Sequence, residues 1–165
     1  MSIVVNSDFV GKYELTLTQY NTDLIDDYIE RYEKQYLIKL LGGGLYDLFI
    51  ADLTAGVPTT AIYLSIFNPL YVDLWCETLV SNGIKEMLLG FIYYHYTLDQ
   101  QQQQTSVGVT APKSENSVGI DMNHISQNRF NENVESFKAI QSYIQTNSSD
   151  YPTFNGSTIK LQYHL

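Results

Sequence analysis

The stretch Tyr28–Leu53, YIERYEKQYLIKLLGGGLYDLFIADL, limits the possible folds of this chain more than any other segment. Leu24, Ile25, Tyr28, Ile29, Tyr32, Tyr36, Leu37, Leu40 and Leu41 recur with a helical period. Three glycines interrupt that period, and Leu45-Tyr46-Asp47-Leu48-Phe49 resumes it at once. The spacing predicts an amphipathic helix starting at Asn21 or Thr22, stopped by Gly42 in the left-handed α conformation. A short second helix follows from Leu45 to about Leu53. Asp23, Asp26 and Asp27 in the first turns and Lys34 and Lys39 near the end complement the helix dipole. Asp27–Arg31 and Glu30–Lys34 are i,i+4 pairs worth about 0.3 kcal/mol each.

Residues 1–20 are expected to be extended, with Ile3, Val4 and Val5 as strand formers and Tyr13, Leu15 and Leu17 alternating with polar neighbours. Thr54 to Thr60 reads as a loop, and Ala61–Phe67 as one or two helical turns broken by Asn68-Pro69. Tyr71 to Val80, around the single Trp75, is expected to be helical. Ser81-Asn82 caps a third major helix, Gly83 to about Asp99, with the stripe Ile84, Met87, Leu88, Phe91, Ile92, His95 and Leu98. Tyr93, Tyr94 and Tyr96 on its other side predict a central helix contacted on most faces. Gln100 to Gln104 extend or fray that helix.

Residues 105–120 form a long Gly/Ser/Pro-punctuated connection. Val107, Val109 and Val118 suggest two short strand-like pieces around Lys113–Asn116. Asp121 can cap a last helix to about Thr146, with Met122, Ile125, Phe130, Val134, Phe137, Ile140 and Ile144 on one side and a mostly Asn/Gln/Ser polar face. The tail then changes period. After the turn signal Asn155-Gly156, Ile159, Leu161, Tyr163 and Leu165 alternate with polar residues, the pattern of an amphipathic strand. Such a strand needs a partner for its ladder, either the N-terminal strands or a neighbouring subunit. The expected fold is mainly α: a four-to-five-helix bundle with short β-strand or hairpin extensions at the termini and in the 105–120 loop. One helical domain spans residues 1–150, and 151–165 is a strand-like tail.

Charge narrows the function. Lys plus Arg number 9 against 18 Asp plus Glu, a net charge of −9, and charged residues make up only 16% of the chain. Arg31 and Arg129 are the only arginines, so a DNA-gripping surface is not expected. Fourteen tyrosines and many Asn, Gln, Ser and Thr fill the deficit, a composition suited to permanent protein contact. One cysteine, Cys76, excludes an internal disulfide framework and fits a reducing compartment. The start, MSIVVNSDFVGK, has neither a basic nor an apolar leader region, and the longest apolar run is too short for a bilayer. A soluble intracellular product is expected.

Chemistry-bearing groups are sparse. His95, His124 and His164 are scattered, and no metal-ligand spacing is present, so no metal or other cofactor is expected. His95 lies in a core stripe and reads as a satisfied buried imidazole. Cys76 beside Trp75 reads as a small core filler. Asp26 and Glu30 are one turn apart, as on any solvated acidic face. Gly42-Gly43-Gly44 lacks the Lys and Ser/Thr of a phosphate loop. The Tyr28/Tyr32/Tyr36 ladder reads as packing. No catalytic residue is assigned.

Four ordered pieces nevertheless carry a resemblance. They are Tyr36-Leu37-Ile38-Lys39-Leu40-Leu41-Gly42 continuing as Leu45-Tyr46-Asp47-Leu48; Asn68-Pro69-Leu70-Tyr71; Gly83-Ile84-Lys85-Glu86-Met87-Leu88 running into Phe91-Ile92-Tyr93-Tyr94; and Thr105-Ser106-Val107-Gly108-Val109 with Glu115-Asn116-Ser117. Together the chain resembles the head–tail connector, or head-completion, proteins of tailed bacteriophages over about residues 20–146. The glycine triplet departs from that family's usual single glycine, and the C-terminal strand has no counterpart. The resemblance implies a structural virion protein of the neck, made in the host cytoplasm. It implies a ring, typically a dodecamer, between portal and tail, extending the channel through which double-stranded DNA passes without specific binding. Its partners would be itself, the portal protein, and tail or further neck proteins, with no membrane. Val107, Val109, Ile159, Leu161, Tyr163 and Leu165 are the expected protein-interaction residues. The alternative is a small acidic adaptor acting as monomer or dimer.

Overall fold

A computed structural model describes residues 2–15, 19–101, 103–105, 108–110 and 122–162. The chain is mainly helical, with five α-helices and three small antiparallel hairpins among the described residues. The helices are α1 (Gln19–Leu41), α2 (Gly43–Ala51), α3 (Ala61–Phe67), α4 (Ile84–Gln101) and α5 (Met122–Thr146). The hairpins are β1–β2 (Leu53–Thr54, Val57–Pro58), β3–β4 (Leu70–Leu74, Glu77–Ser81) and β5–β6 (Gln103–Thr105, Gly108–Thr110). The hairpins lie between the helices, and among the described residues neither terminus forms a strand.

The apolar period of α1 works as expected. Ile25, Ile29, Tyr36, Leu37, Leu40 and Leu41 are buried, while Leu24, on the edge of the stripe, remains exposed. α4 is the central element and packs on both α1 and α5. Ile84, Met87, Leu88, Phe91 and Ile92 are fully buried, and Tyr93, Tyr94 and Tyr96 close its other side. α5 contributes Phe130, Val134, Phe137, Ile140 and Ile144. Each such side chain stabilises the fold by about 1.5–3 kcal/mol relative to exposure. Phe91 stacks on Tyr36, with ring centroids 4.0 Å apart, and meets Phe130 edge-on at 5.2 Å.

Gly42 stops α1, but not in the left-handed α conformation. At φ 78°, ψ 158° it occupies a region open essentially to glycine alone. Its amide still donates to the Ile38 carbonyl at 2.8 Å, and its carbonyl accepts from the Tyr46 amide at 2.9 Å. One residue thus ends α1 and starts α2 while turning the chain sharply.

Several local expectations fail. Residues 2–15 form no strand: Asn6–Asp8 and Gly11–Tyr13 are 3₁₀ turns. Ile3 and Val4 are buried, but a carboxylate takes the place of a strand partner. Glu33, only 6% exposed, accepts both their amides at 3.0–3.1 Å and the Ser2 hydroxyl at 2.7 Å. Tyr71–Val80 is the β3–β4 hairpin and not a helix; Tyr71 pairs with Val80 and Val72 with Leu79 across a Trp75-Cys76 turn. Cys76 is accordingly exposed and fills no core. Within Thr54–Thr60, the loop closes as β1–β2 over Ala55 and Gly56, both at positive φ as a tight two-residue hairpin turn requires. The Gln run splits, ending α4 and opening β5, so that the hairpin in this region spans 103–110. Val118, Lys113–Asn116 and Asp121 lie outside the described residues.

Among its described residues the tail joins no sheet. Its polar groups are met by helix ends and side chains. The Asn155 amide donates to the Leu41 carbonyl at 3.2 Å and the Ser157 amide to the Lys39 carbonyl at 2.7 Å. Gln162 exchanges two 2.8 Å bonds with the Asn131 carboxamide. Within the chain, the last carbonyls of α1 and the Asn131 side chain of α5 stand where the N-terminal strands were the expected ladder partner.

Candidate interaction surfaces

Of the six residues expected to contact other proteins, the structure places three. Val109 lies in β6 and pairs with Gln104. Ile159 and Leu161 are half-buried and pack against this chain's own core. Val107, Tyr163 and Leu165 lie outside the described residues. Hairpin and tail are not brought together as one surface by any described contact.

Gln141 of α5 anchors the tail. Its side-chain amide donates to the Leu40 and Ser157 carbonyls, each at 3.1 Å, bridging the end of α1 to the strap. Upstream, the buried Tyr151 hydroxyl donates to the Ile62 carbonyl of α3 at 2.6 Å. Gly42 and Gly156 permit this seat, because a Cβ on either would overlap backbone of the opposing segment. The periodicity of α5 marked its Asn, Gln and Ser residues as a solvated face. Ser126, Asn133, Ser136 and Gln141 are instead buried. Ser136 bonds Ser81 at 2.6 Å, Ser126 bonds Thr97 at 3.1 Å, and Asn133 reaches the Tyr13 hydroxyl at 3.2 Å. Gly90 of α4 leaves the space that Asn133 occupies.

Tyrosines also go inside. Tyr13, Tyr36, Tyr93, Tyr94, Tyr96 and Tyr151 are buried, and among the described residues only Tyr71 is exposed. The tyrosine content therefore builds the core more than a contact surface. His95 sits among these rings. Tyr32 stacks on it at 3.9 Å and nearly parallel, and burial lowers its pKa to about 4, against a partial upward pull from Asp99. It is a satisfied imidazole, as expected.

A cleft of about 830 Å³ lies between residues 2–7, α1 and α2. Asp26 and Glu30 line it, and His95 does not. Glu33 at its wall is occupied by the Ser2–Val4 segment. Asp52 is held ionised, its pKa lowered to about 2 by the Thr60 hydroxyl and then by the Thr59 and Thr60 amides; it caps the approach to α3. Among the described residues, no group of three or more His, Cys, Asp or Glu could hold a metal ion, and no helix is long and apolar enough to cross a membrane. Arg31 pairs with Asp27 at 3.1 Å, and Arg129 lies over the Tyr93 ring at 4.9 Å.

The surface that does stand out went unread in the sequence. Tyr71, Leu74, Trp75 and Val80 are exposed together on the β3–β4 hairpin. The signal was present only as the strand formers Tyr71, Val72, Thr78 and Val80. The linking Trp75-Cys76 lacks the Gly or Asn that marks a tight turn. No family model, curated protein or solved structure matches this chain.

Proposed function

We propose that this chain is a structural subunit of a tailed-phage neck. In this reading it is a connector of helical-bundle type, built around α1, α4 and α5, that assembles as a ring between portal and tail and extends the DNA channel. The observation that carries the reading is the outward-facing apolar hairpin, with Tyr71, Trp75 and Val80 largely in solvent. Such a patch is costly to leave in water and marks protein contact. The ordered resemblance over residues 20–146 supplies the kind of assembly. Net acidity suits a lumen along which DNA slides without adhering.

The test is assembly. Purified chain mixed with the portal protein encoded beside it should give rings visible by electron microscopy, and the subunit should be located in the neck of the particle. A chain that neither binds portal nor appears in the virion ends the proposal. A second reading, a small acidic adaptor working as monomer or dimer, is favoured by the confinement of the apolar patch to one hairpin. It predicts a discrete small complex with one partner and no ring.

A further inference from the structure

The sequence contains two Asn-Gly pairs, Asn82-Gly83 and Asn155-Gly156. Such pairs are among the least durable links in a polypeptide. The glycine main-chain nitrogen can attack the Asn side-chain carbonyl carbon, and no Cβ shields that approach. A fold slows the attack when it holds either group in a hydrogen bond, and the two pairs differ in this respect. At the first, the Gly83 amide donates to the Ser81 hydroxyl and the Asn82 side-chain amide to Glu86, each at 3.1 Å. At the second, Asn155 is exposed and the pair belongs to neither helix nor strand. Neither the Gly156 amide nor the Asn155 carboxamide has a hydrogen-bond partner among the described residues.

The second pair also lies where the strap is fastened. The main-chain amides of Asn155 and Ser157 donate to the Leu41 and Lys39 carbonyls, so two bonds to the end of α1 bracket Gly156. Gln141 ties the Leu40 and Ser157 carbonyls together beside them. Gly156 sits so close to the Leu40 carbonyl that a Cβ there would overlap it. The seat has no slack for another main-chain atom. It also lies at the negative end of the α1 dipole, where a new carboxylate is unfavourable.

We propose that Asn155 is a site of spontaneous deamidation and that its conversion releases the strap. The Gly156 amide nitrogen gives its proton to hydroxide and bonds to Cγ of Asn155. The bond from Cγ to the carboxamide nitrogen breaks, and ammonia leaves a closed succinimide. Water then opens the ring at either carbonyl. Opening at the main-chain carbonyl gives isoaspartate, whose methylene becomes part of the main chain; opening at Cγ gives aspartate. One water is consumed, one ammonia is released, and nothing is oxidised. Isoaspartate lengthens the path between the two bracketing bonds by one atom, so both cannot be kept. Either product adds a negative charge beside the α1 carbonyls. The segment beyond, with Ile159, Leu161 and the Gln162–Asn131 pair, then loses its anchor. This chemistry needs no partner and proceeds whether or not the chain forms a ring.

The full chain is incubated both folded and in denaturant, in mildly alkaline buffer at physiological temperature, and followed by tandem mass spectrometry. In the folded chain, Asn155 should gain one mass unit about tenfold faster than Asn82, where two hydrogen bonds must open first. In denaturant the two rates should converge. An isoaspartyl methyltransferase should label the Asn155 product. In the aged protein the Ser157 and Gln162 amides should lose hydrogen-exchange protection while helical circular dichroism persists. Asn155→Gln, an exposed position whose longer side chain closes the ring far more slowly, should age with protection intact. A folded chain that keeps Asn155 unmodified while the denatured chain reacts overturns the proposal, and so do equal rates at Asn82 and Asn155 in the folded chain. Conversion that leaves the Ser157 and Gln162 amides protected also overturns it. So does an equal loss of protection in Asn155→Gln, which traces the release to another cause.

Discussion

The Tyr36 hydroxyl on α1 lies 2.8 Å from Nε2 of His95 on α4, joining the two helices in the middle of an aromatic layer. Burial holds the imidazole neutral, with its pKa lowered from 6.5 to about 4. The folded state therefore binds fewer protons than the unfolded chain between those values. This contribution to stability is complete above about pH 6.5 and is lost as pH falls towards 4, about 3 kcal/mol at most. Chemical denaturation of the wild type and of His95→Gln across this range should show a shallower acid loss in the variant. Equal slopes would show that His95 does not contribute.

Glu33→Ala should cost about 2–4 kcal/mol, because it leaves the buried amides of Ile3 and Val4 without an acceptor. Glu33→Gln keeps the shape and one acceptor oxygen and should cost less. Hydrogen exchange should show the amides of residues 3 and 4 losing protection before those of α1. Unchanged protection in Glu33→Ala would mean the segment is held by Ile3 and Val4 packing alone.

Gly42→Ala forces a Cβ against the Asn155 backbone at a φ of +78°. About 2–4 kcal/mol of stability should be lost. The loss should appear as a lower denaturation midpoint and faster proteolysis beyond Tyr151. A substitution at Gly43, where a Cβ meets open space, serves as the control and should change stability little.

Deleting Asn155–Leu165 removes the half-buried Ile159 and Leu161 and frees Gln141 and the last carbonyls of α1. Helical circular dichroism should persist at room temperature, with stability reduced by about 2–5 kcal/mol. A truncated chain as stable as the full one would mean the strap is not held in cis.

The sequence by itself determined the long helices. In α1, α4 and α5 the apolar period runs for many turns, and a mismatch at one position does not disturb the sum. It also placed the chain reversal at Gly42, where no other residue tolerates the backbone. The tertiary structure decided what the polar residues do. Glu33, Asn133, Ser136 and Gln141 have the composition of a solvated face, yet their hydrogen bonds go to segments distant in sequence, and nothing local encodes those partners. It also decided the fate of the tail and of Tyr71–Val80. A short alternating run can serve as a strand, a strap or one turn of helix. Only the elements available to satisfy its backbone select among them: the α1 carbonyls for the strap, and its own second strand for the hairpin.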